Sequence, residues 1–477
     1  MAAELSGATL RTGSHSTAYE RSHNDTVSTG RLNPWAVLAT ATALVLFVAG
    51  LILGLDPGGG ARGDLYIYHL PTIYAFHTRP WLQVLRDYPS ATTPLFHMLE
   101  SFNPLLGHDT AFRTSSLIFS LVVYALYMIA LCKRFADAPQ VRSWAALLGA
   151  ALLLSPYFQS STYWPITDTL PLFFMLVVFL LLNPIENGSV QHDTKLSPSV
   201  RILLLAVLSM CTFYTRQSYL FVPLYVFVLL FKTQTATRWW TLLVFALAGL
   251  PGLYLFWIWR GFTPPAFRGI NQGSSAEIIV YPLTMVAFYA LPLLAEAFYQ
   301  ERNNWKTYLP SRTVCLALIA GALVFLAAFR HFSFSTHHYG GGIASKIFAK
   351  CGRPGPVLFL LFAYAGLLIL IWLFRVADWK TRTLLLLFLL PTFMMKVVFE
   401  RYYDPLLFML FLLFCDRNLV RRFVNVRTGI LIFLFMAALL GGAVRYHAQD
   451  SPSFPMYGKQ RPWVNADPTG GAGLPYR

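Results

Sequence analysis

Residues 34–55 read PWAVLATATALVLFVAGLILGL, a stretch without one charged side chain. A helix crosses the hydrocarbon core of a bilayer with about 20 such residues. This run begins too late and extends too far for the apolar region of a cleaved signal peptide. It reads as a signal-anchor span, and the rest of the chain repeats its pattern. Further apolar runs lie near 112–132, 143–156, 168–183, 200–214, 218–231, 238–259, 278–298, 313–330, 356–375, 383–398, 404–415 and 428–446. Several are shorter than a full span, so some pairs are expected to be re-entrant or to meet within the membrane. The expected fold class is all-α, a polytopic membrane helical bundle of about 11 to 13 transmembrane helices.

Composition agrees. The 477 residues are 56% hydrophobic and 12% charged, with a mean hydropathy of +0.53. Soluble domains carry about twice that charge fraction. The net charge of +16 does not signal nucleic acid. Nucleic-acid binders gather basic residues into one patch among exposed aromatics, whereas here Lys and Arg punctuate the apolar runs. Seventeen basic residues, Lys133 to Arg427, fall in alternate short loops, against only Arg216, Lys396 and Arg401 in the intervening ones. Basic short loops stay on the cytoplasmic side, which places the N-terminus there too and the intervening loops outside. Residues 1–34 read as a disordered cytoplasmic tail, 35–446 as the bundle and 447–477 as a flexible tail. Residues 56–111 form the largest extracytoplasmic loop, whose aromatics suggest amphipathic helices lying in the interface.

The polar clusters with chemical potential all fall on that outer side. Asp64, in Gly63-Asp64-Leu65-Tyr66-Ile67-Tyr68-His69, is a carboxylate at a membrane surface and a candidate general base, or else a helix cap. His69 follows five residues later, a spacing that does not place it on the same face of an α-helix. Thr92 and Thr93 precede Pro94. Asp168 is a candidate substrate contact that capping alone would also explain. Arg216-Gln217 interrupts the apolar stretch Ile202–Leu230. An arginine at a membrane boundary is costly, and its planar fork suits phosphate oxygens. Glu400-Arg401-Tyr402-Tyr403-Asp404 offers a second phosphate-binding arginine, with Glu400 or Asp404 to fix it and tyrosines to stack on a sugar. His337-His338, in a glycine-rich segment, suits a loop or phosphate contact. No ligand spacing indicates a metal and no phosphate-binding loop is present, so no cofactor is expected, although a divalent metal is compatible with the chemistry. The five cysteines are too scattered for a disulfide framework.

In order, these motifs resemble the GT-C glycosyltransferases, and most of all the dolichyl-phosphate-glucose α-1,2-glucosyltransferase family. The resemblance rests on Asp64 before Tyr68-His69-Leu70-Pro71, on Thr92-Thr93-Pro94, on Tyr214-Thr215-Arg216-Gln217 and on Arg401-Tyr402-Tyr403. It covers residues 60–230 and 395–415. The family's acidic pair is reduced here to Asp64, with Tyr66 nearest the second position, and only Arg330-His331-Phe332 echoes its Asn-Arg-His-Tyr-like segment.

The resemblance implies an integral membrane enzyme that moves a hexosyl unit from a polyprenyl-phosphate sugar donor to a lipid-linked or cell-surface glycan acceptor. Asp64 would be the base, and Arg216 and Arg401 would meet the phosphate. A bacterial plasma membrane is the expected location, or the endoplasmic reticulum in a eukaryote. The rival reading is a transporter or lipid flippase. Transporters place polar sites at the bilayer midplane between internal repeats, and this chain shows polar clusters at helix ends and no convincing repeat.

Overall fold

In a computed structural model of the chain, the structure describes residues 32–186, 197–267, 276–302, 312–332, 342–390 and 399–450. Among them all regular structure is helical. Seven helices are long and apolar enough to cross a membrane: Pro34–Ile52, Asp109–Arg134, Pro198–Thr215, Thr235–Trp259, Ile278–Gln300, Gly355–Val376 and Val426–His447. Val141–Leu153 and Pro156–Tyr163 make an eighth if the pair, bent by 61°, is taken as one span, and three shorter apolar helices accompany them. The expected 11 to 13 is approached only when the short helices are counted, as the length of several runs foreshadowed. The protein is an integral, multi-pass, all-α membrane bundle. Its outer surface carries exposed Trp239, Trp257, Phe298 and Val324, side chains that acyl chains solvate as well as a protein core would.

Two ends can be told apart by their charges. Arg417 and Arg421 pair with Asp137 at 2.6 and 3.2 Å, and Arg427 approaches Glu296 at 3.8 Å. The buried Arg134 donates to the carbonyls of Leu413 and Cys415. These contacts draw three of the basic loops together at one end. At the other end the Tyr66 hydroxyl donates to Asp109 at 2.6 Å, and Trp164 donates to the Leu55 carbonyl at 2.8 Å. Helix Asp109–Arg134 therefore runs from one end to the other, as alternating loops require.

Helices Ile278–Gln300 and Gly355–Val376 pack tightly, because Gly366 leaves no room for a Cβ against the Leu283 carbonyl. Residues 156–163 correct the sequence reading. The segment 156–167 counts there among the intervening outer loops, but Pro156–Tyr163 is a helix whose every residue is buried. Ser155-Pro156 breaks the preceding helix, with the Ser155 hydroxyl accepting from the Phe158 amide at 3.1 Å. The polar side chains are then satisfied inside: Ser160 accepts from the Gly58 amide at 2.5 Å, and Thr162 donates to Ser120 at 2.8 Å. Buried hydroxyls with partners cost little.

The first loop is built from four short helices, Ala61–Asp64, Leu70–Thr78, Trp81–Arg86 and Leu95–Glu100, with a π-helical turn at Leu65–His69. Its aromatics do not all lie in an interface. Phe76, Val84 and Tyr88 form a small apolar core with Leu255 and Trp259 of a later span. Tyr88 stacks on Trp259 at 5.6 Å, and the Trp259 indole donates to the Leu85 carbonyl at 2.8 Å. The loop is thereby fixed to the bundle. The closing helix reaches Asp450, past the expected start of the tail at 447; residues 1–31 and 451–477 lie outside the described ones.

Candidate functional site

One cavity of about 350 Å³ gathers residues from six separate stretches of sequence. Its walls include Asp64, His69, Thr92, Asp168, Arg216, Gln217, Arg401 and Tyr402. That volume lies in the range of small-molecule sites. It opens where these stretches meet at the ends of helices, away from the basic loops.

Each polar side chain has a local reason for its position. Helix Pro198–Thr215 stops because Arg216 is extended, at φ −157° and ψ 125°. The Arg216 side chain, 3% exposed, pairs with Asp168 and lies over the Tyr402 ring at 4.4 Å. Asp168 also accepts from Ser161 at 3.3 Å. Gln217 donates to the Ala91 carbonyl at 3.2 Å, and Thr93 donates to the Phe213 carbonyl at 2.6 Å. These two bonds clamp the Thr-Thr-Pro segment to the arginine turn. Thr92 reaches the cavity, while Thr93 serves only the clamp.

Asp64 does not face an apolar surface. Its Oδ2 accepts from Arg401 Nη1 at 2.5 Å, and the Arg401 guanidinium covers the Phe399 ring at 4.6 Å. The first loop and the late Arg-Tyr-Tyr turn thus meet across the cavity. The spacing of Asp64 and His69 argued against a common face, but the π turn changes the geometry. The Leu70 amide donates to the Leu65 carbonyl, one residue wider than an α-helix. Both side chains line the cavity. Such turns recur at functional sites.

His69 continues inward. Its Nδ1 lies 2.8 Å from His97 Nε2, and His97 Nδ1 lies 2.6 Å from the Tyr88 hydroxyl. Burial, then the charges of Arg401 and Arg216, push His69 down to about 3 from 6.5. Burial pushes His97 well below its ordinary value as well. Sequence reading missed His97, which sits in Leu95–Glu100 with no partner at a recognisable spacing.

Glu400 and Tyr403 need correction, because neither lines the cavity. Glu400 was expected to steady Arg401 beside it. The two are successive residues of a 3₁₀ turn, whose three-residue period sends neighbours in different directions. Glu400 instead accepts from the Ala344 amide at 2.8 Å and from the Tyr289 hydroxyl at 3.0 Å. Gly342 leaves no room for a Cβ against this carboxylate. Glu400 is therefore a latch for helix Ile343–Lys350. Tyr403 is buried against Tyr281 and Phe388. Asp404 accepts from Ser155 at 2.7 Å and does not touch Arg401. His337 and His338 lie outside the described residues. Among the described residues no group of three or more His, Cys, Asp or Glu could hold a metal ion.

The latch has a pH signature. Burial raises Glu400 to about 7 from 4.5, and Asp404 to about 7 from 3.8. In that window the folded chain holds protons that the unfolded chain has released, so stability falls as pH rises through it. Glu400→Gln should flatten the slope of thermal stability between about pH 5 and about pH 7, with Asp404 accounting for what is left. An unchanged slope in detergent-solubilised protein would mean that Glu400 does not carry the proton.

No protein-family model matches this chain, and no curated protein matches it. Among solved structures it is similar to ArnT from Cupriavidus metallidurans in the apo state, with a TM-score of 0.34 and 15% identity over 87% of this chain and 76% of that one. The functional reading therefore rests on the cavity.

Proposed function

We propose that the protein is an integral membrane glycosyltransferase of GT-C type, moving a hexosyl unit from a polyprenyl-phosphate sugar to a lipid-linked or surface glycan acceptor outside the cytosol. The observation that carries the reading is the meeting of two carboxylates, Asp64 and Asp168, with two guanidinium groups in a single cavity at the helix ends. No nucleotide-binding loop is visible in the sequence, so an activated sugar would arrive on lipid.

In this mechanism the acceptor hydroxyl attacks the anomeric carbon while Asp64 takes its proton. The bond from that carbon to the phosphate oxygen breaks, and its electron pair stays on the phosphate. Arg216 and Arg401 stabilise the charge that grows there, an interaction strongest in the transition state. One displacement inverts the anomeric centre. Arg401, bonded to Asp64 on one side, has guanidinium N–H groups left for the phosphate, so it holds base and leaving group in register. His69, Thr92 and Gln217 would contact the substrate beside them, and a bacterial plasma membrane is the proposed location.

The test is to incubate purified protein with membrane extract and labelled polyprenyl-phosphate-glucose, -mannose or -arabinose. Transfer from one donor is expected. Substrate movement across vesicles without transfer would favour the flippase reading instead.

A further inference from the structure

Tyr88, His97 and His69 form a file of hydrogen-bonded side chains that starts in the core of the first loop and ends at the cavity wall. All three are almost wholly buried, at 0%, 0% and 6% exposure. A ligand can reach only the outer end. His69 Nδ1 is taken by His97, which leaves Nε2 as the ring nitrogen available on the cavity side. Whether that nitrogen donates or accepts decides what it can hold.

The far end of the file bears on the answer. The Tyr88 hydroxyl lies 2.6 Å from His97 Nδ1, shorter than an N–H donor usually reaches and within the range of an O–H donor. That contact points the single phenol proton at His97 Nδ1. His97 must then carry its proton on Nε2 and donate to His69 Nδ1, and a neutral His69 carries its own on Nε2. Burial beside two guanidinium groups keeps His69 neutral at working pH.

We propose that Tyr88 and His97 are positioning residues that lock His69 in the Nε2–H tautomer, so that His69 donates a hydrogen bond to a phosphate oxygen of the lipid-linked substrate. This rests on the reading of the cavity as a polyprenyl-phosphate site. A neutral donor complements the two cations. It binds an anion without competing for Asp64, and it repels neither Arg216 nor Arg401. A carboxylate or carbonyl ligand would accept the same bond, but the two neighbouring forks favour a group with several oxygens.

The test uses the full chain in nanodiscs, titrated with farnesyl phosphate and, as a control, farnesol. His69→Ala should weaken farnesyl phosphate about 10- to 100-fold, the range for a hydrogen bond to a charged group, and leave farnesol unchanged. His69→Gln places an amide donor near the Nε2 position and should restore most of the affinity. Tyr88→Phe can keep the ring stacked on Trp259 and removes the hydroxyl that meets His97. It should weaken farnesyl phosphate severalfold in the wild-type background and not in the His69→Gln background, where the donor no longer depends on the file. Equal effects of Tyr88→Phe in both backgrounds would overturn the proposal, as would parallel loss of farnesol binding in His69→Ala. Sugar transfer, measured alongside, separates the two readings. Asp64-dependent transfer without this coupling sinks the file alone, whereas phosphate binding with intact coupling and no transfer sinks the enzyme alone.

Discussion

Replacing Asp64 by Asn is expected to lower the turnover of lipid-linked sugar about 10²- to 10⁴-fold, the span usually supplied by a positioned base. The change is close to isosteric. An Asn carbonyl still accepts from Arg401, so the 2.5 Å contact between loop and late turn need not open. Donor affinity should therefore hold while the chemical step fails. That split distinguishes a base from a structural anchor: loss of an anchor would weaken binding and thermal stability together. Residual turnover within about tenfold of wild type would remove Asp64 from the base role. Arg401 gives a second check. If Asp64 acted only to hold Arg401, Arg401→Gln and Asp64→Ala would each cost the same and the double variant no more.

The second large effect is expected at Arg216. Arg216→Lys keeps the charge but should cost about 10²- to 10³-fold in turnover, comparable to losing one donor aimed at a developing anion. The guanidinium lies over the Tyr402 ring at 4.4 Å while it pairs with Asp168. A lysine ammonium is a point charge, and it cannot lie on the ring, pair with Asp168 and offer two parallel donors to a phosphate at once. Single-turnover rates with bound donor would read this directly. Recovery to within about threefold by Lys would show that charge alone suffices and that the planar fork is irrelevant. Asp168→Asn should be milder, since it loosens the arginine without removing it.

Much of this was legible in the chain because a bilayer imposes simple demands. Spans must be apolar over a fixed length, and short basic loops stay on one side. Those two rules place Asp64, Asp168, Arg216 and Arg401 at the same end, and the structure gathers them round one cavity. What escaped depends on backbone detail without a compositional mark. The π turn at Leu65–His69 changes one hydrogen-bond register, and Asp64 and His69 both line the cavity. Nothing in the residues Leu-Tyr-Ile-Tyr-His announces it. Glu400 was paired with Arg401 because they are neighbours in sequence, yet the 3₁₀ turn separates them. Residues 156–163 counted among the short loops because they lie between two apolar runs, whereas every one of them is buried, with Ser160 and Thr162 bonded to Gly58 and Ser120 elsewhere in the chain.

The contact between Asp64 and Arg401 joins residues 337 positions apart. During biosynthesis the acid emerges soon after the first span, and its cation follows only when most of the chain has been threaded through the insertion machinery. The Phe76, Val84 and Tyr88 surface likewise waits for Trp259 before it is covered. A nascent chain cut short between these points can sit in the bilayer and still own no reaction centre.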